Sequence, residues 1–388
     1  MTLNDECARR LDEFRNKLDA LGLDGALLVS ATDVFYFCGT RQNGTLWVPL
    51  SAEPLLLVRK SVERAAAECV GATVRPFPPT KELAGIIGRV RRAGFTFDVA
   101  PAALLQYWSR ALPGVEFVNV TPALLEQRSV KSPWELDRMR ATARMLCDVF
   151  RAVPGFLSEG MRELDLAAEI EVRLKRAGNE GSPRVRGFNQ EFFMGIALAG
   201  ASATKPSYFD GPLTGRGLSA SSPIGSSTDA ILRNSPILID YTAMKDGYGT
   251  DMTRMAVLGD LPAAAESAFR VALEIQQEVV RDLRPGSVPV DLWNRACAIA
   301  DRAGLSAQFM GPPGAQVRFI GHGVGLELDE WPVLAPGFET PLIAGQVLAV
   351  EPKFVLPGVG AVGIENSWVV TPAGGERLTD LPDEIMRL

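Results

Sequence analysis

Two stretches of this sequence each place a carboxylate on both arms of a β-hairpin, and that pairing limits the fold more than any other feature. In Ile237-Leu-Ile-Asp240 and Thr250-Asp251-Met-Thr-Arg254 the arms are separated by Asp246-Gly247, a strong hairpin signal. A turn centred on those two residues sets position 242 opposite 251, so Asp240 and Asp251 become diagonal neighbours on one face, within reach of a shared ligand. The second pair repeats the device. Glu351 ends the apolar run Gln346-Val-Leu-Ala-Val350, Glu365 ends Ala361-Val-Gly-Ile-Glu365, and Pro357-Gly358 lies between them. A hairpin centred on Gly358 sets Glu351 opposite Glu365, where facing carboxylates repel and lose hydration unless a divalent cation lies between them.

Either pair alone could be a solvated turn, since most Asp and Glu residues near hairpins are. His322 adds the discriminating element. It is the only histidine in the chain and sits in the glycine-flanked segment Gly321-His-Gly-Val-Gly325. Four carboxylates and one imidazole form a hard, oxygen-rich donor set suited to paired Mn, Co, Fe or Zn ions rather than a thiolate zinc site.

The rest of the chain sets the frame. At 388 residues it exceeds the roughly 250–300 at which a single core stops growing, so two domains are expected. A formal charge of −6 argues against general affinity for nucleic acid or anionic membranes and favours a small-molecule or peptide partner. Five cysteines without metal-ligand spacing read as reduced thiols, and no apolar stretch is long enough to span a bilayer, so a cytoplasmic protein is expected.

Short apolar runs at Ala26–Val29, Pro54–Val58 and Phe95–Val99 alternate with helical stretches at residues 6–22, 61–69 and 81–92, which predicts an α/β layer domain. At Ser132-Pro133-Trp134-Glu135 an N-cap serine, a proline at the first helical position and a capping-box glutamate predict a helix running to about Phe150. Further helices are expected at 162–177, 262–283 and 290–303. The domain boundary falls between Thr121 and Lys131, giving domains at 1–127 and 128–388. Residues 211–229, rich in Gly, Ser and Pro, form a long loop that is either a lid or a surface excursion. Arg184, Arg186, Asn189, Gln190 and Glu191, before Phe192 and Phe193, could read substrate charge from a strand edging the site, or form a solvated loop.

The order Asp240, Asp251, His322, Glu351, Glu365, in the contexts LIDY, TDMTR, GHGVGLELDEWP, VEP and GIEN, resembles the metallopeptidases of the methionine aminopeptidase, prolidase and Xaa-Pro aminopeptidase group. It is most similar to the creatinase-like branch. Ala31–Phe37 and Glu126–Ser132 resemble that branch's N-terminal domain and junction. The resemblance implies a creatinase-like N-terminal α/β domain followed by a pita-bread C-terminal domain of α+β character, and a homodimer. It also implies two divalent ions, held by the five residues, with a bridging hydroxide that attacks a peptide or small amide.

The chain departs from that pattern. Two histidines usual in the family are replaced, the matching positions being Ser207, after Pro206, and Asp329, before Glu330. Gly363 stands where an arginine is common and Asn366 where an aspartate is. The missing imidazoles would donate where charge develops, so ordinary Xaa-Pro hydrolysis is not implied unchanged. Asp329 and Glu351 are the residues assigned to catalysis, and Arg184, Arg186 and Ser207 to substrate binding. Alternatives are a lyase or C–N or C–S cleaving enzyme on the same fold, or a binding protein that has lost catalysis.

Overall fold

The computed structural model describes every residue except Asn189 and Phe192. The chain divides into two compact units, Met1–Arg128 with Arg186–Asn189, and Ser129–Val185 with Gln190–Leu388.

The first unit is built on a six-stranded mixed sheet in the order Thr73–Pro76, Leu55–Val58, Gly44–Pro49, Gly25–Leu28, Arg92–Phe95, Glu116–Asn119. Gly44–Pro49 runs antiparallel to both its neighbours, and the remaining pairs are parallel. Two expectations shift here. The helix expected over 81–92 ends at Ile87, where Gly88 takes φ 85°, and the strand expected at 95–99 starts earlier, at Arg92. The Asp24 carboxylate accepts from the Arg91 and Arg92 amides, which draws that segment into parallel register with Gly25–Leu27. An isolated apolar run does not reveal such a tether.

In the second unit the capping box forms at Ser132 and Glu135, and the helix it starts runs Pro133–Arg151. Helices Glu163–Arg176, Ala263–Arg281 and Pro289–Arg302 follow close to their expected positions. A four-stranded sheet contains the long hairpin Ile237–Lys245 and Tyr248–Val257, with Gly195–Ala199 on one side and Met386–Arg387 on the other. Asp246 and Gly247 both take positive φ, as a two-residue hairpin turn of this kind requires. A five-stranded sheet carries Gly321–Val324 and Val347–Val350, and a separate hairpin pairs Lys353–Leu356 with Gly360–Gly363.

The period of two along the long hairpin decides which side each residue faces. Ile237, Ile239, Tyr241 and Ala243 pack into one core with Leu146, Phe150, Leu166 and Ile170. Leu238, Met255 and Val257 face the other way, into a core with Phe269, Ala272, Ile275 and Phe354. Asp240, Thr242, Asp251 and Thr253 belong to this second face, where the apolar layer gives way to the polar cluster described next. Among the described residues, no helix is long and apolar enough to cross a membrane.

Candidate metal centre

Strand register fixes the cluster. Thr242 faces Asp251 and Asp240 faces Thr253, as a turn at Asp246-Gly247 demands. In the second hairpin Lys353 faces Gly363 and Leu356 faces Gly360, so its centre is Gly358. Glu351 and Glu365 continue the two arms past the last pair. Glu351 is anchored by its N–H donating to the Ile320 carbonyl at 2.9 Å, while Glu365 forms a bridge with Thr253. His322 pairs with Ala349, two residues before Glu351, so both side chains leave the sheet on one face. Glycines flank His322 because the sheet is tight there. A Cβ at Gly321 would lie 2.4 Å from the Ala349 carbonyl oxygen, and one at Gly323 would lie 2.4 Å from that of Glu330.

The imidazole Nε2 lies 3.9 Å from Asp251 Oδ2, 3.6 Å from Glu351 Oε1 and 3.7 Å from Glu365 Oε1. These gaps are too long for hydrogen bonds and suit donors disposed around a common centre. Donor atoms of Asp251, His322 and Glu365 all lie within 4.8 Å of one another, and all three residues are buried. Glu365 Oε1 is buried without a hydrogen-bond partner, an acceptor aimed at this centre. The donor set therefore fits a divalent cation held by Asp251, His322 and Glu365, with Glu351 beside them.

Supporting contacts hold each ligand. Ser367 Oγ accepts from the Asp251 N–H and donates to the Asp251 carbonyl, both at 3.0 Å. Thr253 Oγ1 donates to Glu365 Oε2 at 2.8 Å. Arg254, 1% exposed, donates to the carbonyls of Thr253 and Glu365, and its other nitrogen reaches Asn366 Oδ1. Burial brings the Arg254 guanidinium down to about 10. Asn366 also accepts from Arg377 and Thr379 and donates to Gln276 and Asp383, a use of both halves of an amide that a carboxylate could not match.

One residue of the cluster escaped the sequence reading. Lys353, 2% exposed, points its Nζ at Asp240 Oδ2 (2.7 Å), Glu351 Oε2 (2.6 Å) and Glu365 Oε2 (3.0 Å). Its signal was present. Lys353 is the one charged residue in Lys353–Leu356, and it follows Glu351 by two, hence on the same face. Burial opposes its charge, but Asp240, Glu351 and Glu365 hold its ammonium well above the usual lysine range. The carboxylates answer unequally. Burial raises Glu351 to about 7 despite the lysine. Burial acts the same way on Glu365, but Lys353 and His322 outweigh it and bring that carboxyl to about 2. Burial, reinforced by Glu365 and Asp240, pushes Asp251 well up.

A cleft opens over the cluster, walled by Phe193, Phe209, Phe319 and Leu328. Asp329 lines it, with Oδ1 3.4 Å from His322 Nδ1, on the side away from the ligand-facing Nε2. Gly211, Pro212 and Leu213, the first residues of the long loop, also line it. That loop has more anchorage than its composition suggests. Leu213 is buried, Ser226 hydroxyl bonds the Ala197 backbone, and Ser227 bonds Glu163.

The residues assigned to substrate binding are placed elsewhere. Arg184 donates to the Gly247 carbonyl and approaches Glu180, and among the described residues a single bridge, Val185 to Leu328, joins its segment to a strand. Arg186 is held by Asp33 at 2.9 Å and by Asp98, within the first unit. Ser207 Oγ is buried without a hydrogen-bond partner. None of the three lines the cleft. Asn189 and Phe192, from the same stretch, lie outside the described residues.

Residues 137–372 match the model of metallopeptidase family M24, and residues 10–130 match the creatinase/prolidase N-terminal domain. The chain belongs to metallopeptidase family M24. The family is one of divalent-metal-dependent hydrolases, and the fold is its creatinase-type N-terminal domain followed by the catalytic domain. The chain is 24% identical to the Xaa-Pro dipeptidase of Pyrococcus furiosus over 97% of its length and 99% of that protein's. Among solved structures, the prolidase of Pyrococcus horikoshii OT3 superposes with a TM-score of 0.82 at 23% identity, covering 97% of this chain and 99% of that one. A dipeptidase from Mycobacterium ulcerans superposes with 0.83 at 25% identity, covering 100% and 99%.

Proposed function

We propose that this M24 member hydrolyses the amide bond of a short peptide or small amide whose leaving portion carries no free carboxylate. The observation that carries the reading is the convergence of Asp251, His322 and Glu365 at the floor of an open cleft. A divalent cation held there would supply Lewis acidity and lower the pKa of a bound water toward neutrality.

The chain's own groups select the substrate. Phe193, Phe209 and Phe319 give the cleft apolar walls that exclude water from one side of a bound amide. Asp329 faces the cleft and backs His322 through Nδ1. Among the described residues lining the cleft, only His322 and Lys353 can carry positive charge, and both are directed at carboxylates of the cluster. A substrate carboxylate would meet Asp210, Asp240, Asp329 and Glu351 with no arginine to pair with it. A neutral or cationic group is therefore favoured there, unlike the free carboxylate of an Xaa-Pro dipeptide. The absence of imidazoles at Ser207 and Asp329 bears on rate rather than on this choice, because one lost oxyanion donor can cost roughly 2.7–4 kcal/mol for any amide.

The test is a Mn²⁺-loaded assay of matched pairs, Xaa-Pro dipeptides against their C-terminal amides, alongside small acyl amides. Faster turnover of the amides is expected. Efficient cleavage of the free dipeptides would restore the ordinary dipeptidase reading.

A further inference from the structure

The family resemblance implies two divalent ions, yet the polar cluster already contains a cation of its own. The Lys353 ammonium has three donors, and each meets a different carboxylate, those of Asp240, Glu351 and Glu365. Glu351 and Glu365 are split between two partners. Each gives Oε2 to Lys353 and turns Oε1 toward His322 Nε2, at 3.6 and 3.7 Å. They bridge two cation positions, one filled by the ammonium and the other bounded by His322 and Asp251. Asp240 stands on the ammonium side, whereas Asp251 stands on the imidazole side and is absent from the lysine's partners.

The lysine's place is built into the hairpin. Gly363 lies opposite Lys353, and a Cβ there would fall 2.6 Å from Lys353 Cγ and 3.0 Å from its Cα. The absent side chain at Gly363 makes room for the stem, and the register aims it inward between Glu351 and Glu365.

We propose that the Lys353 ammonium is a covalently tethered substitute for one of the two ions, so that the chain binds a single divalent cation, at Asp251, His322 and Glu365. This deepens the hydrolase reading and rests on it. Two divalent ions in addition to the lysine would set one of them beside a fixed positive charge, in competition for oxygens already donated to it. One ion and one ammonium together nearly balance four carboxylates. The tethered charge cannot be removed by a chelator, so Asp240, Glu351 and Glu365 keep a common partner when the metal leaves.

The test is metal stoichiometry on the full chain. Protein stripped with chelator is titrated with Mn²⁺ alone, followed by elemental analysis after desalting. About one ion per chain is expected for the wild type, and about two for Lys353→Ala and Lys353→Gly, where the second position is opened. Anomalous diffraction from Mn²⁺-soaked wild-type crystals gives an independent measurement should the variants fail to fold, and one peak beside His322 is expected. Two ions in the wild type would overturn the proposal and leave the hydrolase reading standing, as would a count that stays at one in folded Lys353 variants. No bound ion in any form would defeat the hydrolase reading itself.

Discussion

Lys353 and Gly363 face one another across the second hairpin so closely that a single methyl group at Gly363 would fall 2.6 Å from the lysine's Cγ. Such overpacking typically costs about 1–3 kcal/mol, and here the backbone at Lys353 Cα is in the way as well as the flexible stem. Gly363→Ala should lower stability by that order and disturb the ammonium's bonds to Glu351 and Glu365. Urea unfolding of metal-stripped protein measures the first effect. An unchanged midpoint would mean that the hairpin yields without strain and that Gly363 is not required for the lysine's placement.

The five carboxylate and imidazole positions should not respond alike to mutation. Asp251→Ala and Glu365→Ala remove donors from the pocket around His322 and should each abolish Mn²⁺ retention. Asp240→Asn, by contrast, touches a residue whose carboxylate is bonded to Lys353, and should leave one ion per chain in place. Elemental analysis of the three variants after desalting separates them. Loss of the ion in Asp240→Asn, to the same extent as in Asp251→Ala, would show that Asp240 ligates metal directly.

The loop at 211–229 should open only at its tip. Gly211–Leu213 line the cleft and Ser226 and Ser227 are hydrogen-bonded to the body of the unit, while Leu218 and residues 219–222 are exposed. Limited proteolysis should cut within 218–222 and spare the base, and a product amide occupying the cleft should slow the cut. Cleavage at 213–214 at a comparable rate would mean that the base is not anchored in solution.

Much of this site could be read from the sequence because strand register is a local matter. Asp246-Gly247 and Pro357-Gly358 fix two turns, and once the turns are fixed the period of two dictates which carboxylates share a face. The capping box at Ser132 was legible for the same reason, since its two bonds span three residues. What could not be read depends on contacts between distant segments. The Asp24 tether that advances the strand at Arg92 and the Asp33 and Asp98 partners that engage Arg186 are separated from them by 67 to 153 residues. Lys353 is the instructive omission, because its position two after Glu351 was visible, but a lysine among ligands reads as a solvated side chain until the opposing glycine and the burial are known.

Asp329 offers the sharpest division between two roles. By the resemblance drawn from the sequence it stands in the place of a histidine, and a carboxylate at the cleft's edge could move a proton on the substrate. The geometry favours a different duty. Its Oδ1 is 3.4 Å from His322 Nδ1, and after burial, which opposes the imidazolium, Asp329 is the leading influence on that ring. A carboxylate behind a ligating imidazole fixes its tautomer and orientation, and losing such a partner typically costs about 10–100-fold in metal affinity. Asp329 also takes φ 62°, a left-handed conformation that Asn tolerates and Ala does not, so Asp329→Asn removes the charge with the backbone preserved. The expected result is Mn²⁺ affinity weaker by about 10–100-fold, with turnover largely recovered at saturating metal. Calorimetric titration of Mn²⁺ into stripped protein measures the affinity, and the best substrate found, assayed across metal concentrations, measures the recovery. Unchanged affinity with a depressed kcat at saturating Mn²⁺ would assign Asp329 to proton transfer on the substrate instead of to the support of His322.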